Sequence, residues 1–278
     1  MTTSIITSKI TKTISIANQK GGVGKTTTAV NIATSFAAIG KQVLLIDFDP
    51  QGNATTGFGI DKPNDGIGTI YEVLLGDIDI NEAIKPTEIE GLFIIAADIM
   101  LSGIEVDIEN KKDFHFYLQQ KMLQITKKFD ICIIDCPPSL GFLTVNAFCA
   151  SNSILIPLQC EFYALEGLSH LITSYKMIRA NLNKNLRLEG VVLTMYDKRN
   201  KLSEQVEQDV RQFMPNKVYK TVIPRNVKLS EAPSHGKPVL IYDVHCVGST
   251  SYIDLAREML SKGVLEPFDG NKKVSSAA

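Results

Sequence analysis

The chain has 278 residues, 44% of them hydrophobic and 21% charged, with a formal net charge of −1. That suits one large or two small domains with a real core, and the near-zero balance excludes a partner selected by whole-chain charge. The five cysteines include no Cys-x-x-Cys pair and the four histidines lack ligand spacing, which argues against a disulfide framework or a Cys/His metal site. Met1 to Lys12 reads as a polar, flexible lead without the apolar core of a secretory signal. No run approaches the length of a membrane span, and with reduced thiols the chain is expected in the cytosol.

A β-branched run, Thr13 to Ala17, leads into Gln19-Lys20-Gly21-Gly22-Val23-Gly24-Lys25-Thr26-Thr27, and an Ala-rich helical pattern runs from Thr27 to Ile39. Strand, glycine loop and helix in that order let backbone N–H groups converge on phosphate oxygens at a helix N-terminus. Lys25 would lie along the β- and γ-phosphates, and the Thr26 hydroxyl would ligate Mg²⁺. Gly40 reads as the helix stop. Val43 to Ile46 is a continuous apolar run, as expected of a parallel strand buried on both faces, and ends in Asp47-Phe48-Asp49-Pro50-Gln51-Gly52-Asn53. Carboxylates at a strand's C-terminal end, beside a phosphate loop, are placed for metal and water.

After a Gly/Asp/Pro-containing loop (Gly57 to Gly68), short helices are expected at Thr69–Leu75 and Ile80–Ile84 and a third strand at Leu92–Ala97. Leu101 to Lys128 reads as one helix with Phe114, Leu118 and Met122 as its inward stripe. Ile131 to Ile134 is a fourth strand closed by Asp135. That is the Walker B form, in which the acid holds Mg²⁺, although an apolar run plus Asp also fits an N-cap or turn residue. Strands at Ser153–Pro157, Leu188–Met195 and Val218–Ile223 alternate with helices at Glu161–Asn181, Leu202–Phe213 and Gly248–Leu260. The alternation predicts a three-layer α/β/α P-loop NTPase with a mainly parallel twisted sheet. The organisation expected is a lead over 1–12, one ATPase domain over 13–262 and a disordered tail over 263–278. From Lys176 to Lys237 there are 13 Lys/Arg against 6 Asp/Glu, which fits either a nucleic-acid footprint or a solvated face.

The general phosphate-loop pattern asks for glycine at position 19, where this chain has Gln19, and Lys20 follows it. This deviant Walker A loop resembles the ParA/MinD group of P-loop ATPases. The resemblance to the chromosomal ParA/Soj type spans roughly Ile14 to Leu260, carried further by Asp135-Cys136-Pro137-Pro138-Ser139-Leu140-Gly141, Leu193 to Arg199 and Ile223 to Ser234. It implies that Gly21, Gly22, Val23, Gly24, Lys25, Thr26 and Thr27 bind ATP phosphates, that Thr26 and Asp135 hold Mg²⁺ with Asp49 nearby, and that Asp49 positions the attacking water. Lys20 would reach across a dimer to stabilise the transferred phosphoryl group, as an arginine finger does. Pro224 and Asn226 resemble the adenine-binding segment. Arg199, Arg225 and Lys228, with Lys198, Lys201 and Lys237 as neighbours, match positions that bind double-stranded DNA without reading sequence. The implied cycle is an ATP-driven homodimer that binds the nucleoid and is released through hydrolysis stimulated by a ParB/Spo0J-like partner.

Related readings fit less well. A MinD-like membrane ATPase needs a basic amphipathic C-terminal helix, whereas the tail from Gly263 contains Pro267 and Gly270 and has no apolar face. Cys132 and Cys136 do not match an iron–sulfur ATPase of this superfamily, and residues 263–278 lack the tyrosine cluster of its kinases. A binding-only module would not need Lys20, Lys25, Thr26, Asp49 and Asp135 together.

Overall fold

The computed structural model describes residues 9–60, 68–108 and 113–265. β1 (Ile10–Ile16) feeds a glycine-rich turn and α1 (Lys25–Ala38). β2 (Val43–Asp47) is followed by the one-turn α2 (Asn53–Thr56), then α3 (Ile70–Leu75) and α4 (Ile80–Ala83). β3 (Lys85–Pro86) and β4 (Leu92–Ile95) precede α5 (Ile104–Ile108) and α6 (Tyr117–Met122). The alternation continues through β5 (Phe129–Asp135), α7 (Phe142–Ala150), β6 (Ser153–Gln159), α8 (Ala164–Asn181), β7 (Arg187–Thr194) and α9 (Lys201–Phe213). Two short helices, α10 (Val227–Glu231) and α11 (Val239–Tyr242), lead to the closing α12 (Val247–Ser261).

The seven strands lie in the order β3-β4-β2-β5-β1-β6-β7, and every pairing is parallel except β3 with β4. Because successive side chains point to opposite faces, each buried strand feeds two cores. Leu44, Ile46, Cys132, Ile134 and Ile156 pack on one side with α3 and α5 to α9. Ile14, Ile16, Leu45, Ile133 and Leu155 pack on the other with α1, α11 and α12. This is the three-layer α/β/α architecture expected. The continuous apolar runs of β2 and β5 are buried on both faces for that reason.

Some local expectations change. Leu101–Lys128 is not one helix: the chain makes a 3-10 turn at Ile99–Gly103, then α5, and restarts at a left-handed Asp113 (φ 61°) before α6. Leu118 and Met122 are buried as the stripe requires, while Phe114 is half-buried and stacks on Phe142 at 5.9 Å. Val218–Ile223 forms no named strand. It touches β7 through an isolated bridge (Val191 to Val218), because the Lys220 and Thr221 amides donate to the Glu258 carboxylate of α12 at 2.8 and 2.9 Å instead. The remaining strand is β3, which pairs antiparallel with β4, and β1 begins at Ile10, inside the segment expected as a lead. α7 is a further helix, where the sequence pattern gives no helical period. The tail beyond 265 and most of the Gly57–Gly68 loop lie outside the described residues.

Candidate active site

The sheet order puts the C-terminal ends of β1, β5 and β2 side by side: Ile16 pairs with Asp135, and Asp135 with Asp47. The phosphate loop rises from β1 at that edge. Gly22 and Gly24 take left-handed conformations (φ 76° and 85°) that favour glycine. A Cβ built on Gly21 or Gly22 would meet nothing within 4 Å, so the loop backbone faces open space where phosphate oxygens can approach. Two long-range bonds hold the loop. Thr194 Oγ1 donates to the Val23 carbonyl at 2.8 Å, and Asn18 Nδ2 donates to the Pro157 carbonyl at 2.8 Å. The buried Lys25 folds back so that Nζ donates to the Lys20 carbonyl at 2.8 Å.

Three buried carboxylates gather at this edge, and two of them, Asp135 and Asp49, act on this lysine. Asp47 accepts from the Thr55 amide (2.8 Å) and hydroxyl (2.7 Å), and Thr55 Oγ1 in turn accepts from the Ala97 amide at 3.0 Å. Burial pushes the Asp47 carboxyl up to about 6 against those Thr55 bonds. Asp49 accepts from the Gln51 amide at 3.0 Å. Neither oxygen of the fully buried Asp135 receives a hydrogen bond of ordinary geometry. Burial, followed by the Asp47 charge, holds Asp135 well above the usual carboxylate range, while the nearby Thr26 hydroxyl and Lys25 pull it down. Burial lowers Lys25, and the charges of Asp135 and Asp49 oppose it.

This donor set fits Mg²⁺. An unsatisfied buried carboxylate beside a hydroxyl supplies hard oxygens, and a cation there would remove the cost of the bare charge. Among the described residues no group of three or more Asp, Glu, His or Cys is placed to hold a metal ion by itself.

Beside the loop, a cavity of about 310 Å³ is lined by Gly24, Thr27, Thr194, Pro224, Asn226 and Tyr252, among others. It brings the two candidate base-binding residues to the phosphate loop. The Asn226 side chain also caps α10, accepting from the Lys228 amide at 2.9 Å. Arg225 lines the same cavity. Arg199, whose side chain is 90% exposed, is held by Asp197 through two side-chain bonds of 2.9 and 3.0 Å. Asp197 falls to about 2 through the Arg199 hydrogen bonds, and it also senses the Arg225 charge, so the two arginines share one neighbourhood. Lys228 pairs with Glu231 at 2.9 Å. Lys20 stands at the rim with its Nζ on the Glu161 carboxylate, just ahead of α8.

Comparison with known proteins bears on this geometry. Residues 11–188 match a family described as an AAA domain. The chain is 50% identical over 252 residues to the sporulation initiation inhibitor protein Soj of Bacillus subtilis, covering 91% of this chain and 99% of that one. With the chromosome partitioning protein ParA of Caulobacter vibrioides it shares 51% over 253 residues, 90% of this chain and 94% of the other. The chain belongs to the ParA/Soj family of chromosome-partitioning ATPases. Among solved structures, a cobyrinic acid a,c-diamide synthase from Mycobacterium smegmatis with bound ATP analog and magnesium superposes with a TM-score of 0.78 at 33% identity, covering 91% of this chain and 95% of that chain.

Within this ParA/Soj-family chain, sequence reading assigned no role to Thr194, Glu161 or Tyr252. Thr194 ends β7 inside the Leu193–Arg199 motif already singled out, and a hydroxyl at a strand end was the available signal. Tyr252 meets the Thr28 hydroxyl at 3.1 Å and ties α12 to α1. Among the described residues no helix is long and apolar enough to cross a membrane.

Proposed function

We propose that this ParA/Soj-family chain is a Mg²⁺-dependent ATPase that dimerises on ATP, binds DNA without sequence preference as the dimer, and is reset by hydrolysis stimulated by a ParB/Spo0J-like partner at the nucleoid. The observation that carries the reading is the convergence of buried Lys25, Asp49 and unsatisfied Asp135 beneath an open glycine loop. The loop amides and Lys25 bind the triphosphate, Thr26 and Asp135 hold the cation, and the adjoining cavity takes the base between Pro224, Asn226 and the loop. Mg²⁺, when bound, offsets charge on the transferred phosphoryl group. Asp49 orients a water whose oxygen attacks the γ-phosphorus as the bond to the ADP oxygen breaks. Lys20 of a second copy supplies further positive charge at that step.

Arg199, Arg225 and Lys228 carry the DNA contacts, directed at phosphates and therefore salt-sensitive. All three lie in segments that border the base cavity or follow β7, which links nucleotide occupancy to the basic face. Binding to random-sequence DNA with ATP and with ADP tests the reading. Asp49→Ala is expected to stay bound in ATP, Lys20→Ala to fail to dimerise, and Arg199→Ala to dimerise without binding. DNA affinity indifferent to nucleotide in every variant would refute it.

A further inference from the structure

The Lys20 ammonium is already engaged within its own subunit, by Glu161. Both residues have their main chains pinned. The Lys20 amide donates to Asn18 Oδ1 at 3.1 Å and its carbonyl accepts from Lys25, while Asn18 clips this segment to β6 through Pro157. The Glu161 amide donates to the Gln159 carbonyl at 3.0 Å and its own carbonyl accepts from the Ala164 amide at 3.0 Å. Only the two side chains are free to part, and at 44% and 28% exposure they can do so without moving the backbone.

We propose that Glu161 is a positioning residue that holds Lys20 in its own subunit until a second copy offers a nucleotide phosphate. This rests on the reading that Lys20 acts across a dimer. Phosphate then replaces carboxylate as the counter-charge, and each subunit gives up one ion pair when the dimer forms. Glu161 thereby sets the threshold for association without touching the reacting atoms. An exposed pair of this kind shifts an equilibrium by roughly 1.5- to 5-fold. Two such pairs broken together, at about threefold each, shift the dimerisation constant by about tenfold.

The test compares wild type with Glu161→Gln and Glu161→Asp, first without nucleotide. Acylation of Lys20 by an N-hydroxysuccinimide ester is followed by mass spectrometry against the exposed Lys128 as internal reference. Glu161→Gln is expected to react about threefold faster, Glu161→Asp close to wild type, and the difference to vanish in 1 M salt, a concentration at which the screening length falls to about 3 Å. Sedimentation with Mg·ATP should then show Glu161→Gln dimerising at about tenfold lower protein concentration, with kcat of the dimer unchanged. Equal acylation of wild type and Glu161→Gln overturns the proposal, and so does faster acylation without tighter dimerisation. If wild type itself never dimerises on ATP, the dimer reading is what falls, and the acylation rates alone decide whether Glu161 holds Lys20.

Discussion

Thr194→Val should damage the phosphate loop from a distance of 171 residues in sequence. The Thr194 hydroxyl donates to the Val23 carbonyl at 2.8 Å, and the two residues are 2% and 1% exposed. Valine fills nearly the same volume but removes the donor, so the cost is the lost bond and the desolvated carbonyl rather than a cavity. Losing one partner of a buried hydrogen bond costs about 1–3 kcal/mol. For a domain of this size, about 2 kcal/mol lowers Tm by roughly 4–8 °C. Because the freed carbonyl lies inside the loop, about half of that loss should also appear in nucleotide binding, as a roughly fivefold weaker Kd. Calorimetric melting of the nucleotide-free protein and titration with a non-hydrolysable ATP analogue measure the two effects, and Thr194→Ser, which keeps the donor, should recover both. A Thr194→Val protein with wild-type Tm and wild-type affinity would refute the claim that this bond shapes the loop.

Three further outcomes follow from the buried charges and the glycines. Glu258 is lowered to about 2, because the Lys220 and Thr221 amides outweigh the burial that would raise it. Its stabilisation is therefore complete above the ordinary glutamate range and fades as pH falls toward 2. Glu258→Gln should cost about 2 kcal/mol in urea unfolding at pH 7 after allowance for solvent screening, and a cost that stays constant down to pH 3 would contradict this. Asp135 is raised instead, chiefly by burial, so it costs the folded protein stability as pH rises above the ordinary aspartate range. Asp135→Asn should raise the Tm in EDTA at neutral pH, while abolishing the extra stabilisation by Mg·ADP. An unchanged Tm in EDTA would show that the bare carboxylate costs nothing. Gly22→Ala and Gly21→Ala should both weaken nucleotide binding by placing a methyl where phosphate approaches. Only Gly22→Ala, at φ 76°, should also lower stability, by about 1–2 kcal/mol; equal melting of the two would sink the distinction.

The parts legible in the sequence were those whose chemistry is local. A glycine loop between a β-branched run and an Ala-rich helix needs no distant partner to be recognised, whereas an apolar strand ending in Asp135 takes its meaning from that loop upstream. Buried strands read as uninterrupted apolar runs because both faces are covered. α7 escaped notice for a related reason: Phe142 to Ala150 has no charged face, so nothing marks a helical period. The β-branched character of Val218–Ile223 pointed to a strand, but a carboxylate 37 and 38 residues away claims its amides. The Lys20–Glu161 contact spans 141 residues, and no pattern along the chain announces it. Placement of the candidate base cavity likewise required the β7 end and the α10 cap to meet the glycine loop in space.

Both borders of the sheet are blunted. One ends in a two-residue strand carrying Pro86, which has no amide to donate. At the other, β7 exchanges bonds with Lys217, Tyr219 and Ile223, while the intervening Lys220 and Thr221 amides are occupied by Glu258. A bare sheet edge would otherwise offer a template on which neighbouring copies could zip together through the main chain. Among the described residues, both borders of the sheet therefore disfavour main-chain pairing of one copy with another.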